Sequence, residues 1–252
     1  MRSFRFTSAI IIFAILGSHP LPACQSEEIA QLLRRAQEFF DRRAYAESLQ
    51  VEEGLLRCLE SMTSPDPRDL AANLTRQAEL NWSLGRLRTA EAQLKRAAGI
   101  YESRLGTAGR DYAAVLTGLA AVYSKRNRPL DAEPLLRRAV EVHERLQSRD
   151  LDGLTAALNN LGELYVKLGD LEGADRAFRR ALAAGGEKSS EGVRAAVLYN
   201  LACVQIGLGS PVEAERLLRN SLDLRMRLYG TDHPDVQSTS KLLAGLIKDH
   251  RR

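Results

Sequence analysis

Cysteine, histidine and aromatic residues are scarce in this chain. Only 3 Cys occur in 252 residues, which excludes a disulfide-rich scaffold and a zinc site built from four cysteines. The four His, at 19, 143, 233 and 250, have no metal-ligand spacing. Aromatics make up 6%, too few for an all-β sandwich, whose strands draw on aromatic and β-branched side chains. A strong charge of one sign is also missing. Lys and Arg number 36 against 32 Asp and Glu, so nothing demands nucleic acid as a partner. There is no Gly-rich phosphate loop, His-Glu-x-x-His, Gly-x-Ser-x-Gly or paired-Cys motif. No enzyme activity, cofactor or metal is therefore expected. What remains is 44% hydrophobic and 27% charged, enough for a buried core. Ala, Leu, Arg and Glu dominate it, and these favour helix.

Residues 1–23 read as an export signal. Arg2 and Arg5 make a basic start, Ser8 to Gly17 is a short apolar stretch, and His19-Pro20 breaks it. Such a stretch is too short to span a bilayer comfortably. Leu21-Pro22-Ala23-Cys24 is similar to the bacterial lipobox, apart from Pro22, and would place a lipid on Cys24. Ordinary cleavage after Ala23 and an uncleaved anchor are the other readings. Residues 24–28 then form a short linker. The expected location is outside the cytoplasm, periplasmic or envelope-associated, with membrane attachment only through a lipid on Cys24.

The rest of the chain is a repeat. A leading Leu falls at 32, 74, 116, 158 and 198, at intervals of 42, 42, 42 and 40. A small residue follows four later, at Ala36, Ala78, Ala120, Gly162 and Ala202, and Ala244 continues the series. A second small residue comes sixteen after each leading Leu: Ser48, Ala90, Ala132, Ala174 and Ala214. Each copy holds two helical patterns. In the fourth, Leu158, Leu161, Leu164, Tyr165 and Leu168 keep helical spacing, Gly169-Asp170 breaks it, and Ala174, Ala177, Phe178, Ala181 and Leu182 resume it. The small pairs mark where the two helices approach closest. The prediction is an all-α stack of five helix pairs, at about 29–70, 71–112, 113–154, 155–194 and 195–236, with a capping helix at 237–252. The first copy is the weakest. It has Arg43 where others have Gly or Asn, and Glu52 at a usually apolar site.

Helix pairs with small residues at these two places resemble the tetratricopeptide repeat, whose usual length is about 34 residues. The longer period also falls in the range of HEAT-type repeats. The segment Leu228-Tyr-Gly-Thr-Asp-His-Pro-Asp-Val236, with Ala214-Glu-Arg-Leu-Leu-Arg219 before it, is similar to the longer repeats of kinesin light chains and their bacterial relatives. The resemblance covers about residues 29–252. It implies a right-handed superhelix whose first helices line a concave groove that accepts a peptide or partner protein. On that register Arg34, Arg76, Gly118, Asn160 and Asn200 stand at one groove position. Thr75, Thr117, Asn159 and Tyr199 lie beside them, and Phe40, Trp82, Ser124, Val166 and Ile206 further round. The candidate peptide-binding residues are Arg34, Arg76, Trp82, Asn159, Asn160, Tyr199 and Asn200. In the family, Asn here hydrogen-bonds the backbone of a bound peptide. These Asn could equally pair with neighbouring repeats, and Trp82 could pack between repeats. Leu33 and Gln37 replace two members of the Lys and Asn clamp by which chaperone-binding relatives hold a carboxylate, which disfavours that partner.

Charges are arranged in helical pairs: Glu91–Lys95, Glu133–Arg137, Asp175–Arg179 and Glu215–Arg219, with Arg96, Arg138 and Arg180 following three of them. They read either as a salt-bridged outer surface or as a basic stripe for a polyanion. Cys58 and Cys203 lie three copies apart, too far for a bridge, and both are expected to be free thiols. The function expected is a protein-binding scaffold. The alternatives are an assembly subunit docking through its outer surface, or a regulatory partner of an enzyme carried on another chain.

Overall fold

The computed structural model describes residues 26–146, 151–186 and 189–250; the expected leader and Cys24 lie outside them. The described residues form helices and no strand. In chain order these are α1 (Ser26–Asp41), α2 (Tyr45–Ser61), α3 (Pro67–Ser83), α4 (Leu87–Ile100), α5 (Arg110–Lys125), α6 (Pro129–Leu146), α7 (Leu151–Leu168), α8 (Leu171–Gly185), α9 (Glu191–Gly207), α10 (Pro211–Tyr229) and α11 (Pro234–His250). Tyr101–Leu105 continues α4 as a wider π-helical turn. The chain forms two compact units divided after Arg128. In the first, α1 packs on α2, α2 on α3, α3 on α4 and α4 on α5; in the second the same succession runs from α6 to α11. First helices also touch one another, α3 with α5 and α7 with α9. This is the serial packing of a helix-pair solenoid.

The turn inside each pair is one structure built five times. A residue one or two positions past the end of the first helix has a left-handed backbone: Arg43 (φ 59°), Gly85 (φ 76°), Asn127 (φ 59°), Gly169 (φ 81°) and Gly209 (φ 72°). The N–H one residue later reaches back to the last helical turn. Ala44 donates to the Phe39 carbonyl (2.9 Å), Arg86 to Asn81 (2.7 Å), Arg128 to Tyr123 (2.9 Å), Asp170 to Tyr165 (3.0 Å) and Ser210 to Gln205 (2.8 Å). A second N–H closes the inner ring each time, as from Gly85 to Trp82 and from Gly169 to Val166. This is the Schellman closure, in which a left-handed residue satisfies carbonyls the helix end would orphan.

The small residues lie where the period puts them. Ala36, Ala78, Ala120, Gly162 and Ala202 are buried, as are Ser48, Ala90, Ala132, Ala174 and Ala214. In the first pair the contact is polar, because the Ser48 hydroxyl donates to the Ala36 carbonyl at 2.8 Å. At Gly162 a Cβ would stand 2.5 Å from the ring of Phe178, a fully buried side chain of α8. Ala244, on α11, is exposed.

Three boundaries differ from expectation. Each pair starts three or four residues earlier than the apolar period suggests, at 26, 67, 110, 151 and 191. The caps lie before the first apolar residue: Asp66 accepts from the Arg68 N–H (2.8 Å) ahead of Pro67. The stretch expected as a linker, 24–28, is helical from Ser26. The last helix begins at Pro234, where the Asp235 N–H donates to His233 Nδ1 (3.2 Å).

Two substitutions test this packing in opposite directions. Gly162→Ala has no room beside Phe178 and should lower unfolding free energy by about 1–3 kcal/mol in urea titrations. Arg43→Gly relieves a side chain from a left-handed backbone and should raise it by up to about 1 kcal/mol. A neutral Gly162→Ala would show that the helices of that pair are not in close contact.

Candidate functional site

In the first unit one of the three candidate groups, Arg76, is committed to a contact within the fold. Arg34 is exposed on α1. Arg76 turns its Nε onto Glu52 Oε1 at 2.7 Å, and the Asn73 amide donates to Glu52 Oε2 at 2.5 Å. Glu52 is 2% exposed. Its charge is therefore held by donors from α3, and Arg76 belongs to the α2–α3 contact. Buried charges are retained only when paired in this way. Gln77, Asn81 and Gln93 extend the polar seam between α3 and α4 by side-chain hydrogen bonds of 2.7–3.1 Å. Trp82, half-buried, lines a shallow notch with Ala78, Glu79, Leu94, Gly118, Ala121 and Val122. Burial pushes the Glu79 carboxyl up to about 7.

In the second unit two of the three candidate Asn pair between repeats. The Asn200 amide donates to Asn159 Oδ1 (2.9 Å) and to Glu163 Oε1 (2.8 Å). The Asn159 amide donates to the same Glu163 oxygen (2.8 Å). These bonds tie α9 to α7, so the inter-repeat reading holds for Asn159 and Asn200. Asn160 is half-buried and makes no side-chain hydrogen bond to the described residues. Beyond it, Val166 (44% exposed) and Ile206 (36%) are apolar side chains open to solvent. Tyr199 has its ring under the guanidinium of Arg225, 4.6 Å away. Arg225 is 2% exposed and donates to Thr239 Oγ1 (2.6 Å) and the Asp235 carbonyl (3.0 Å). Tyr199 is thus part of the seat of α11.

The outer helices carry the expected ion pairs. Lys95–Glu91 (2.7 Å), Arg137–Glu133 (2.8 Å), Arg179–Asp175 (2.9 Å) and Arg219–Glu215 (2.7 Å) are all formed. Arg96 pairs with Glu60 (2.5 Å), Arg138 with Glu141 (2.7 Å), and Arg180 with Glu144. The basic residues are therefore matched by acids, which favours a salt-bridged surface over a polyanion stripe. Such exposed pairs each contribute little stability. No group of His, Cys, Asp and Glu among the described residues could hold a metal ion.

The cysteines depart from expectation. Cys203 is free, and burial pushes its thiol up against a smaller downward pull from Tyr199 and Arg225. Cys58 is not free: it is disulfide-bonded, and Cys203 is not its partner. Both cysteines were expected to be free thiols; Cys203 is, and Cys58 is not.

Glu79, Glu163 and Arg225 shape these surfaces and were not singled out from sequence, and Glu52 was noted only as standing at a usually apolar site. The available signals were local: Glu163 stands four residues after Asn159, and Glu79 three before Trp82, spacings that share a helix face. Nothing local links Glu52 to Arg76 or Arg225 to Thr239.

The two kinds of Asn separate by stability. Asn200→Ala breaks the α9–α7 link and should cost about 0.5–1.5 kcal/mol in chemical unfolding. Asn160→Ala should fall within about 0.5 kcal/mol of the parent, as surface changes do. Equal losses would show that Asn160 is also structural.

Comparison with known proteins agrees with this architecture. Sequence profiles described as tetratricopeptide repeat match residues 69–145, 111–185 and 194–235, together more than half of the chain. No curated protein matches it. Among solved structures it is similar to BtubC (BKLC) from P. vanneervenii, at TM-score 0.73 and 21% identity over 82% of this chain and 83% of that one. A kinesin light chain of nearly identical TPR-like repeats from Podosopora anserina gives TM-score 0.67 and 18% identity over 80% and 96%. The Rap conjugation gene regulator of plasmid pLS20, solved in complex with the Phr* peptide, gives 0.62 and 17% over 89% and 65%. These likenesses are of fold. With the matched profiles, the repeated turn and the buried small residues, the chain belongs to the tetratricopeptide repeat family.

Proposed function

We propose that the chain is a scaffold that binds an extended peptide segment of a partner protein along its first helices. The observation that carries this reading is on α7 and α9. There the Asn160 amide, with no hydrogen bond to the described residues, stands on the same helix as exposed Val166, and exposed Ile206 is on α9. An amide offers both donor and acceptor to a peptide backbone, and apolar neighbours take alternate side chains. The Rap regulator, a structure of similar fold, binds a peptide, which supports the reading. The outer surface offers a competing assembly site less to work with, because Arg96, Arg137, Arg138, Arg179, Arg180 and Arg219 are all paired with acids. An enzyme, where one is involved, would be on another chain.

The test is selection of peptides from a random library on the immobilised protein. Asn160→Ala should weaken a selected peptide about 2- to 13-fold, corresponding to about 0.5–1.5 kcal/mol. Val166→Asp with Ile206→Asp should abolish it. Selected peptides that bind both variants like the parent would place binding elsewhere.

Export to the bacterial envelope is the second part of the proposal, supported by the basic start, apolar stretch and cleavage-like Ala23. Mass spectrometry of the mature N-terminus should find residues 1–23 removed. An intact Met1 would remove the export reading.

A further inference from the structure

The contact between α7 and α9 carries one charge that the fold orients without neutralising. Glu163 is exposed on α7, one helical turn after Asn160 and one before Val166. Its Oε1 accepts from the Asn159 amide (2.8 Å) and from the Asn200 amide (2.8 Å). Asn200 also donates to Asn159 Oδ1 (2.9 Å), so the three side chains close a ring across the two helices. A carboxylate offers about four acceptor sites, two on each oxygen. The two amides take those of Oε1, and Oε2 accepts no hydrogen bond from the described residues.

Amides orient a carboxylate but supply no charge. Glu163 makes no ion pair with the described residues, Lys167 of its own helix included. On α9 the same repeat position is Cys203, a free thiol. Asn160, Val166 and Ile206 around it are uncharged. We propose that Glu163 selects a peptide with a cationic side chain, lysine or arginine, whose charged end lies on Oε2 while the peptide backbone meets the Asn160 amide. The proposal rests on the reading of α7 and α9 as the peptide-binding surface.

The two amide bonds already hold the carboxylate in one orientation, so a ligand that uses it orders little further. An ammonium or guanidinium brings donors for Oε2, and a charge-assisted hydrogen bond is stronger than a neutral one. An acidic side chain in the same place would face a fixed like charge. The chain as a whole has the opposite bias, because its formal net charge is +4 at pH 7. Non-specific attraction therefore favours acidic peptides, and a preference for basic ones has to come from a local group.

Two random heptapeptide libraries panned in parallel on the immobilised full chain test this, one with Lys and Arg but no acidic residue, the other with Asp and Glu but no basic one. The basic library should yield binders and the acidic one should not. A selected peptide with one basic residue is then made N-acetylated, so that its side chain is its sole cation. Replacing that residue by norleucine should weaken binding to the parent chain about fivefold, the upper end for an exposed ion pair. Glu163→Gln keeps an acceptor oxygen for both amides, so it should unfold in urea like the parent, and it should weaken the basic peptide by the same factor. In that variant the change to norleucine should cost nothing more, because the pair is already broken. Enrichment of acidic peptides, or a basic peptide that binds Glu163→Gln like the parent, would overturn the proposal. If that peptide still weakens on Asn160→Ala and on Val166→Asp with Ile206→Asp, the peptide-binding reading stands without it. If it binds those variants like the parent too, both fall.

Discussion

Everything in this chain depends on closing the first helix of each pair with a single left-handed residue. That residue lets one N–H reach back five positions, satisfies the helix's last carbonyls, and sends the chain back against the helix it has just left. The returning helix must then lie close along its whole length, and only small side chains allow that. The positions at 36, 78, 120, 162 and 202 and their counterparts twelve residues on are small for this reason, and at Gly162 the ring of Phe178 leaves no room for a Cβ. Once the pairs are fixed, first helices of the same unit touch, α3 with α5 and α7 with α9. The residues there inherit their neighbours from the 42-residue period rather than from sequence proximity.

That period explains what was legible. The turn residues recur at the same interval as the leading Leu residues, so fold class, pair number and the position of the breaks could be read directly. So could the outer ion pairs, because they are four residues apart on one helix and need no tertiary information. Helix starts were placed late because an apolar pattern begins only after the cap, and the cap belongs to the helix.

The face of the first helices was harder to read. Asn159 and Asn200 have the same hydrogen-bonding groups as Asn160, and residue type does not say which amide meets a partner across 41 positions of chain. Glu52 looked like a flaw in a weak first copy. It is instead the acceptor around which Asn73 and Arg76 gather. Tyr199 sits at a groove position by register, yet its ring belongs to the seat of Arg225 beneath α11. In each case the deciding partner comes from another helix. The bond at Cys58 was missed for a related reason, since the argument from repeat spacing weighed only Cys203 as its partner.

A structure of this type separates two jobs. The second helices spend their charges on one another and on the preceding helix, while the first helices keep Asn160, Trp82, Val166 and Ile206 at the surface. The most direct test of that division is backbone amide NMR on the isotope-labelled chain with a bound peptide. Shift changes concentrated in α3, α5, α7 and α9, with α8 and α10 nearly silent, are what this account predicts. Changes confined to α8 and α10 would contradict it.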